Sequence, residues 1–404
     1  MRYTRRRSEV EAMKIVKAAA LFKSCGAEMK SPRSRAVDFS IRRDHVNELT
    51  TTFYGGVLMI YVGLDISSKD FVVHAINERK KEKLKGSIAP TKKGLKALID
   101  QLGIERKVFV LEAGNQTRWI GDYLKKQGQD FHIVHPNEVK WIAESGGKKT
   151  DKVDAKKLAE LARADMLPRR VHFAEGKIRD LRDLVNARQT LLNKRVALIN
   201  SIRGYLRQEG IRLPAKFFSS HEWQVKLTGL KLKSAQEAVV AHLMNAVESL
   251  VHSEKELTKE INAINDKQIE LIETIPGIGK LSSRIVFAAL VTAERFDNAK
   301  CAAYYSALTP TIYQSGGVEN MGKINRDGRG EVRRAMLQCA HAVARTKTAA
   351  AKPLKEFYEK IEKRRGKKRA IVALSRKLLT TTYGVMKSGE SYNPEKLKPV
   401  VRVA

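Results

Sequence analysis

The chain between residues 59 and 136 alternates short apolar runs with amphipathic segments. The runs "MIYVGLDIS" (59–67) and "DFVVHAINE" (70–78) are rich in β-branched residues and lie close enough to form a hairpin. In "TKKGLKALIDQLG" (91–103), by contrast, leucine and isoleucine recur at helical spacing. The alternation includes four more segments: "EKLKGSIAP" as a strand, "KVFVLEA" as a strand, "TRWIGDYLKKQG" as a helix and "FHIVHP" as a strand. A hairpin followed by alternating helices and strands predicts an α/β unit with a mixed sheet.

Two later segments carry apolar residues in alternating steps of three and four. The first series is Ile178, Leu181, Val185, Leu192, Ile199, Ile202 and Leu206. The second series is Leu243, Val247, Leu250, Leu257, Ile261, Ile264 and Leu271. The break "GIRLP" (210–214) separates them. This spacing predicts two long helices that form an antiparallel coiled-coil hairpin or a dimerisation arm.

The remaining C-terminal sequence predicts a mainly α-helical domain. "IPGIG" (275–279) lies between two helical segments and resembles a helix-hairpin-helix, in which Gly277, Gly279 and Lys280 would present N–H groups and charge to a phosphate. An ordinary tight turn between packed helices is an equally good interpretation. A glycine-rich polar loop is expected over 309–334, and two basic helices are expected over 354–386.

The first 58 residues show no clean periodicity. They are either a flexible basic arm or translated upstream sequence, and we favour the second interpretation, with Met59 as the natural start. The pattern therefore suggests four segments: a basic extension over 1–58, an α/β domain over 59–172, a coiled-coil region over 173–271 and a C-terminal domain over 272–404.

The charge of the chain indicates a polyanionic partner. Lys and Arg number 77 against 44 Asp and Glu, which gives a formal net charge of +33. Such an excess favours nucleic acid bound with strong salt dependence. A membrane is not expected, because no apolar run reaches the ~18 residues that a span requires. The three cysteines, Cys25, Cys301 and Cys339, have neither a disulfide pattern nor a zinc spacing, which fits a reducing cytoplasm.

Four carboxylates stand out against this basic background. Asp65 and Glu112 interrupt apolar strand runs, where a lone acid is costly unless it is paired or bound to metal. Asp151 and Asp154 lie three residues apart, so on a helix they share a face. Hard divalent ions such as Mg²⁺ prefer carboxylate oxygen, and two such ions roughly 3.5–4 Å apart suit phosphoryl transfer. In the alternative interpretation, Asp151 caps the helix and Asp65 and Glu112 merely end their strands.

The order of these blocks resembles that of a known family. A hairpin strand with an acid, a later strand with a second acid and a helix with further acids resemble the RNase H-like fold of RuvC nucleases. More narrowly, "GLDIS", "LEAGN" and "KTDKVDAKKLAEL", followed by "IPGIG", "YYSALTPTIYQSGG" and "GKINRDGRGEVRRAM", resemble the IS110-family transposases. The resemblance covers roughly residues 59 to 390. It implies a RuvC-like domain in which Asp65, Glu112, Asp151 and Asp154 form a D-E-D-D set that binds Mg²⁺.

The same resemblance points to a serine. In that family a serine of the second domain is the nucleophile, and Ser315 in "YQSGG" occupies the matching place. The glycines after it would let a DNA backbone approach, and nearby cations would neutralise the phosphates. The residues concerned are Gly316, Gly317, Lys323, Arg326, Arg329, Arg333 and Arg334. Without the resemblance, "SGG" is a flexible turn.

The resemblance implies a site-specific recombinase of an insertion element that passes through a phosphoserine–DNA intermediate. Its expected partners are element-end and target DNA, a structured guide RNA encoded in the element, and further copies of the chain in a dimer or tetramer. The serine of one protomer could then meet the carboxylates of another. The expected location is the bacterial cytoplasm, at the nucleoid when DNA is bound. Two rival interpretations are a RuvC-like nuclease that hydrolyses DNA without Ser315, and a nucleic-acid-binding protein with degenerate sites.

Overall fold

The computed structural model of the protein describes residues 59–143, 151–220, 222–315 and 318–397. Within these ranges, the side chains of 140–143, 151–152, 312–315 and 318–321 are outside the description. The expectation for residues 1–58 falls on a segment outside the described residues. The chain divides after Phe173 into two compact units.

A five-stranded mixed sheet forms the centre of the first unit, in the order β3-β2-β1-β4-β5. Its strands are β1 (Ile60–Ile66), β2 (Phe71–Asn77), β3 (Glu82–Ile88), β4 (Lys107–Glu112) and β5 (Asp130–Val134). The pairs β1–β2 and β2–β3 are antiparallel, whereas β1–β4 and β4–β5 are parallel. The predicted mixed α/β pattern is confirmed here, since all five strands lie where the sequence predicted them.

Helices flank this sheet on both faces. They are α1 (Lys92–Gln101), α2 (Thr117–Lys126), α3 (Pro136–Ala143) and α4 (Asp151–Arg163). On one face, the alternate β1 residues Ile60, Val62 and Leu64 share a core with the buried leucines and isoleucine of α1 and α2. On the other face, Val110 of β4 shares a smaller core with Leu158 of α4. The candidate site lies on this second face of the sheet.

The second unit is mostly helical. Its helices are α5 (Gly176–Gln208), α6 (Trp223–Thr228), α7 (Ser234–Ala263), α8 (Lys267–Glu273), α9 (Lys280–Leu290), α10 (Ala299–Tyr305), α11 (Gly330–Arg345), α12 (Lys352–Arg365) and α13 (Lys367–Ser388). The two basic helices expected near the C-terminus are therefore confirmed as α12 and α13. Among the described residues, no helix is long and apolar enough to cross a membrane.

The two longest helices, α5 and α7, pack against each other in antiparallel directions. Arg188 donates to Thr258 over 2.8 Å, and two turns further along α5 Arg195 pairs with Glu254 at 2.7 Å. The predicted antiparallel helix pair is thus confirmed in its direction, while supercoiling stays a prediction. One boundary was wrong, because the second apolar series was expected to run to Leu271 in a single helix. The helix ends at Ala263, where the chain turns extended before Asp266 caps α8.

Part of the polar loop expected over 309–334 is instead a β-hairpin. Strand β6 (Pro310–Ser315) pairs antiparallel with β7 (Val318–Ile324) in a separate two-stranded sheet. The loop expectation was wrong for these residues because glycine content outweighed the alternation of "PTIYQS" and "VENMGKI". Helix α11 then begins at Gly330, within the last part of the expected loop.

Candidate active site and nucleic-acid interface

Asp65 and Glu112 lie at the carboxyl ends of two adjacent parallel strands. The last register pair of β1 and β4 joins Leu64 to Leu111, so the two acids are the next residues on their strands. Strand alternation places both acids on the face opposite the core leucines. Both side chains are half-buried. Two sequence-predicted acids therefore share one edge and one face of the sheet.

Helix α4 packs on that same face. The backbone of Gly63 meets Ala155 so closely that a β-carbon at Gly63 would lie 1.9 Å from the Ala155 carbonyl oxygen. At the other end of the helix, Arg163 lies near Tyr61. Burial, and to a smaller extent the nearby Glu78, raises the pKa of the Tyr61 hydroxyl. Tyr61 precedes Gly63 on β1, so α4 runs antiparallel to the strand. Its first turn is therefore directed toward the strand end that carries Asp65.

The first turn of α4 contains the other two predicted acids. Asp151 is the first residue of the helix, and its side chain lies outside the described residues. Asp154 is half-buried, one residue before the Ala155 contact. Among the side chains that the structure describes, no group of three or more His, Cys, Asp or Glu is close enough to hold a metal ion. The structure thus brings the segments that carry the four acids to one edge of the sheet, and their assembly into one site stays a prediction.

Hydrogen bonds tie the two strand ends together. The Gln116 side chain, just before α2, donates to the Ser67 carbonyl oxygen after β1 over 2.8 Å. Thr117 donates its hydroxyl to the Glu112 carbonyl oxygen over 3.2 Å and accepts from the Gly114 amide over 2.7 Å. These bonds fix the backbone on either side of the carboxylates, which limits their freedom to move apart.

Ser315 lies at the tip of the β6–β7 hairpin. It is the last residue of β6 and pairs in register with Val318, while Gly316 and Gly317 between them are outside the described residues. A backbone hydrogen bond closes the base of the hairpin. The Asn325 amide donates to the Thr309 carbonyl oxygen over 2.8 Å.

A close backbone contact also holds the segment after β7. The Arg329 amide donates to the Tyr305 carbonyl oxygen over 2.8 Å. A β-carbon at Gly328 would lie 2.5 Å from that same oxygen. The hairpin thus projects from a fixed base, with the serine at its far end.

The five cations predicted to meet DNA phosphates fall into two groups. Arg329 pairs with Glu331, and Arg333 donates to the Asn325 carbonyl oxygen over 3.1 Å. The Arg333 side chain therefore holds the hairpin base, and the charge of Arg329 is neutralised at the start of α11. The other group has side chains that form no ion pair with the described residues: Lys323, Arg326 and Arg334. This second group is better placed to contact a ligand, although phosphate binding by any of the five stays a prediction.

The "IPGIG" turn combines one packed glycine and one open glycine. Gly277 has φ +83°, and a β-carbon there would lie 2.5 Å from a methyl group of Val343. Gly279 precedes α9 and has open space around its α-carbon, and Lys280 is exposed. The turn interpretation is therefore sufficient for Gly277, while Gly279 and Lys280 remain accessible for the predicted phosphate contact.

Comparison with known proteins decides the family. A family model for an IS110-type DEDD domain, described as a transposase, matches residues 62–210. A second model, described as a transposase of the IS116/IS110/IS902 family, matches residues 269–359. The chain belongs to the IS110 family of transposases. It is an enzyme that acts on DNA, and a DEDD domain indicates a divalent metal ion.

Curated relatives agree with this IS110-family assignment. The transposase for insertion sequence element IS1111A of Coxiella burnetii (strain RSA 493 / Nine Mile phase I) is 27% identical over 345 residues, which cover 82% of this chain and 90% of that protein. A putative transposase, y4rJ, of Sinorhizobium fredii (strain NBRC 101917 / NGR234) is 27% identical over 70% of this chain and 77% of its own. The pilin gene-inverting protein of Moraxella bovis is 29% identical over 40% of this chain and 50% of its own.

Sequence reasoning about this IS110-family transposase missed two positioning residues. The first is Gly63, which was visible as a glycine inside an apolar strand, a sign of close backbone approach. The second is Arg284 of α9, which is only 3% exposed. Its guanidinium pairs with Glu273 and donates to the Ile264 carbonyl oxygen over 3.0 Å and to the Asn265 side chain over 3.0 Å. Arg284 therefore fixes the break between α7 and α8 beside the "IPGIG" turn, and no local sequence signal revealed it.

Proposed function

We propose that this transposase is a site-specific recombinase that mobilises its own insertion element by serine chemistry. In this proposal Asp65, Glu112, Asp151 and Asp154 bind Mg²⁺ and Ser315 is the nucleophile. The observation that carries the proposal is the placement of Asp65 and Glu112 on one face, at adjacent strand ends, with the first turn of α4 directed toward them. The inversion activity named for the Moraxella bovis relative supports a recombinase rather than a simple nuclease.

The donor set fits a hard divalent cation. All four proposed ligands are carboxylates, and hydrogen bonds near Gln116 and Thr117 hold the strand ends that carry two of them. Carboxylate oxygens are the ligands that Mg²⁺ prefers. When bound, the ion would neutralise charge on a phosphoryl group and act as a Lewis acid. The choice of Mg²⁺ over other divalent ions is part of the proposal.

The Ser315 hydroxyl supplies the covalent step. Its oxygen attacks the phosphorus of a DNA phosphodiester and loses its proton to a base, and the bond to a deoxyribose oxygen breaks. That oxygen takes up a proton and leaves as a hydroxyl group. A deoxyribose hydroxyl of another strand then attacks the phosphoserine and releases the serine. One phosphoester bond is exchanged for another in each step, so the reaction needs no external energy source.

The fold and assembly around this chemistry are also proposals. The sheet order β3-β2-β1-β4-β5, with β2 antiparallel, supports an RNase H-like fold for the first unit. The alternating apolar spacing and antiparallel packing of α5 and α7 support a coiled coil. We propose that this helix pair contributes to a dimer or tetramer.

A structured guide RNA is the second proposed nucleic-acid partner. The net charge of +33 supports a protein that holds RNA and DNA together. The protein would contact the RNA through shape and backbone, and base pairing would select the DNA. These partners place the protein in the bacterial cytoplasm, at the nucleoid when it is bound to DNA.

A trapping experiment tests the serine mechanism. Protein, Mg²⁺, element-end and target DNA and the co-transcribed RNA are quenched in denaturant and separated on a gel, beside Ser315→Ala and Asp154→Asn. We expect a DNA-linked protein band in the wild type and none in either variant. Ser234→Ala, which removes an exposed serine hydroxyl at the start of α7, is the matched control and is expected to retain the band.

The rival functions give different gels. Cleaved DNA without an adduct, unaffected by Ser315→Ala, would establish a hydrolytic nuclease and refute the serine proposal. Binding without any strand breakage, in the presence of RNA and Mg²⁺, would favour a non-catalytic nucleic-acid-binding protein.

A further inference from the structure

The turn between α12 and α13 carries a dense group of cations. Over residues 363–369, six of seven residues are basic, and Gly366 is the seventh: Lys363, Arg364, Arg365, Gly366, Lys367, Lys368 and Arg369. All seven are exposed. We call this segment the basic turn. It lies outside the hairpin and the "IPGIG" turn, so neither proposed DNA contact includes it.

The basic turn is not neutralised by acids in the described part of the chain. None of its six basic side chains forms an ion pair with a described residue. The nearest acid in sequence, Glu362, accepts a hydrogen bond from the Tyr358 hydroxyl at 2.7 Å instead. Six positive charges therefore remain concentrated at one place on the surface.

Helix electrostatics oppose half of this arrangement. Lys363, Arg364 and Arg365 lie in the last turn of α12, where the helix dipole favours cations. Lys367, Lys368 and Arg369 form the first turn of α13, a helix of 22 residues, and that turn contains no acidic residue. The amino end of a helix carries partial positive charge, so cations there are repelled and anions are attracted. Three of the six cations therefore oppose the dipole of their own helix, and all six repel one another, so the cluster is suited to an anionic ligand.

The turn is also held in a defined shape. Gly366 has φ +79°, and its amide donates to the Glu362 carbonyl oxygen over 2.9 Å. The Ala370 amide donates to the Gly366 carbonyl oxygen over 3.1 Å. On either side, Tyr358 of α12 and Ala370 of α13 are buried in the core of the second unit. The backbone of the basic turn is thus fixed before any ligand binds, which lowers the entropic cost of binding.

We propose that the basic turn is a further binding surface for the phosphate backbone of duplex DNA. The proposal rests on the proposed function, since it adds a contact for the DNA that a recombinase holds. The segment contains no aromatic residue. Recognition of unpaired RNA bases commonly uses aromatic stacking, whereas cations alone suit a duplex backbone.

The length of α13 separates the basic turn from the hairpin base. Near the other end of α13, the Tyr383 hydroxyl donates to the Phe296 carbonyl oxygen over 3.2 Å, and the Phe296 ring packs on Tyr305. Tyr305 is the residue whose carbonyl oxygen accepts the Arg329 amide hydrogen bond at the hairpin base. Sixteen residues of helix separate Lys367 from Tyr383, which corresponds to about 24 Å. Duplex DNA of about seven base pairs has the same length, so we infer that the basic turn contacts DNA beyond the part that reaches the hairpin base.

Equilibrium binding tests the proposal. Full-length K367Q/K368Q/R369Q protein is compared with wild type for binding to two probes, a DNA duplex of scrambled sequence and a hairpin RNA, in EDTA and at several salt concentrations. We expect affinity to fall about tenfold or more at low salt, and the slope of log K against log salt to decrease by about 0.9 for each phosphate that the variant no longer neutralises. K216Q/K231Q/K267Q removes three exposed lysines of the same unit at scattered positions and is the matched control.

Two readouts separate the outcomes. Thermal midpoints of K367Q/K368Q/R369Q at or above the wild-type value would show that weaker binding does not reflect unfolding. Equal affinity and equal salt slope in the two triple variants would overturn the proposal. A decrease confined to hairpin RNA, with duplex DNA unaffected, would overturn it in favour of an RNA surface. Because EDTA excludes metal-dependent chemistry, these results stand whether or not Ser315 proves to be the nucleophile.

Discussion

Gly63 of β1 and Ala155 of α4 are in direct backbone contact. A β-carbon at Gly63 would lie 1.9 Å from the Ala155 carbonyl oxygen and 2.9 Å from the Ala159 backbone nitrogen. Ala155 and Ala159 are one helical turn apart and both are buried. The helix that carries Asp151 and Asp154 can therefore approach the strand that carries Asp65 only because all three contact residues are small.

Replacing Gly63 with Ala should displace α4 from the sheet. The added methyl group meets backbone atoms, which cannot rotate away as a side chain can, so we expect destabilisation of about 1–3 kcal/mol. We also expect DNA-adduct formation to fall more than stability explains, since the acids of α4 would shift relative to Asp65. Urea unfolding and the trapping gel measure the two effects.

Gly86→Ala is the matched control for this prediction. Gly86 lies on β3 of the same sheet, and a β-carbon there would have open space around it. The Gly86→Ala variant should form as much protein–DNA adduct as the wild type. Equal behaviour of the two variants would show that the close contact at Gly63 does not position α4.

The strands of the first unit could be predicted from sequence because each one is a local apolar pattern. The close contact at Gly63 could not be predicted as fully, since it joins residues 92 positions apart and depends on which face α4 covers. The hairpin around Ser315 was missed for a different reason: its glycines favoured a loop over the alternating polarity of the two flanking strands. For the acids, sequence and resemblance supplied the candidate residues, which stay a prediction, whereas the shared edge of Asp65 and Glu112 came from strand register.

Divalent metal should stabilise the first unit through the proposed carboxylate site. A ligand that binds only the folded state adds about 2.7 kcal/mol when it is present at 100 times its Kd. We therefore expect the thermal midpoint of the wild type to rise with Mg²⁺ and to return on chelation. Asp154→Asn should lose most of this shift, because it removes a charged ligand.

Asp130→Asn controls for charge in this experiment. Asp130 begins β5 and pairs with Arg106 at 3.1 Å, at the amino end of its strand rather than at the carboxyl ends that carry Asp65 and Glu112. The thermal midpoint of Asp130→Asn should rise with Mg²⁺ as that of the wild type does. A full Mg²⁺ shift in Asp154→Asn would exclude Asp154 from the metal site.

The Arg195–Glu254 pair should determine the alignment of α5 and α7 more than it stabilises them. Glu254 is 7% exposed and accepts from Arg195 at 2.7 Å and 3.3 Å. Glu254→Ala removes the charge-assisted hydrogen bonds but leaves Arg195, whose side chain is 28% exposed and can be hydrated, so it should cost about 2 kcal/mol. Replacing both members by Met and Leu should restore most of that stability, because the cost of burying two charges disappears as well.

Urea unfolding and oligomer size together test this prediction. The double variant R195M/E254L is expected to be about as stable as wild type, and light scattering should show a broader range of oligomers if the pair selects the alignment. Lys259→Ala removes an exposed ion pair with Glu256 on the same helix, and it should change stability by less than about 1 kcal/mol. A double variant as unstable as Glu254→Ala would show that the pair contributes stability rather than alignment.

Stability of the first unit should fall below about pH 6.5, where an unfolded histidine becomes protonated. His74 of β2 is 5% exposed, and burial lowers its pKa in the folded protein despite the nearby Glu82. Burial also lowers the pKa of His132. The unfolded chain therefore binds protons at a higher pH than the folded chain, and acidification favours unfolding. The contribution of these histidines to the free energy of unfolding is fully present above about pH 6.5. It is lost as the pH falls toward their lower pKa in the folded protein.

Urea unfolding at pH 7.5, 6.5 and 5.5 measures this slope. His74 alone can contribute at most about 1.4 kcal/mol per pH unit. His74→Gln should reduce the slope, whereas His242→Gln, at an exposed position of α7 in the second unit, should leave the slope of the first unit unchanged. If His74→Gln keeps the wild-type slope, protonation of His74 does not drive the destabilisation, and its buried position on β2 tolerates the charged ring.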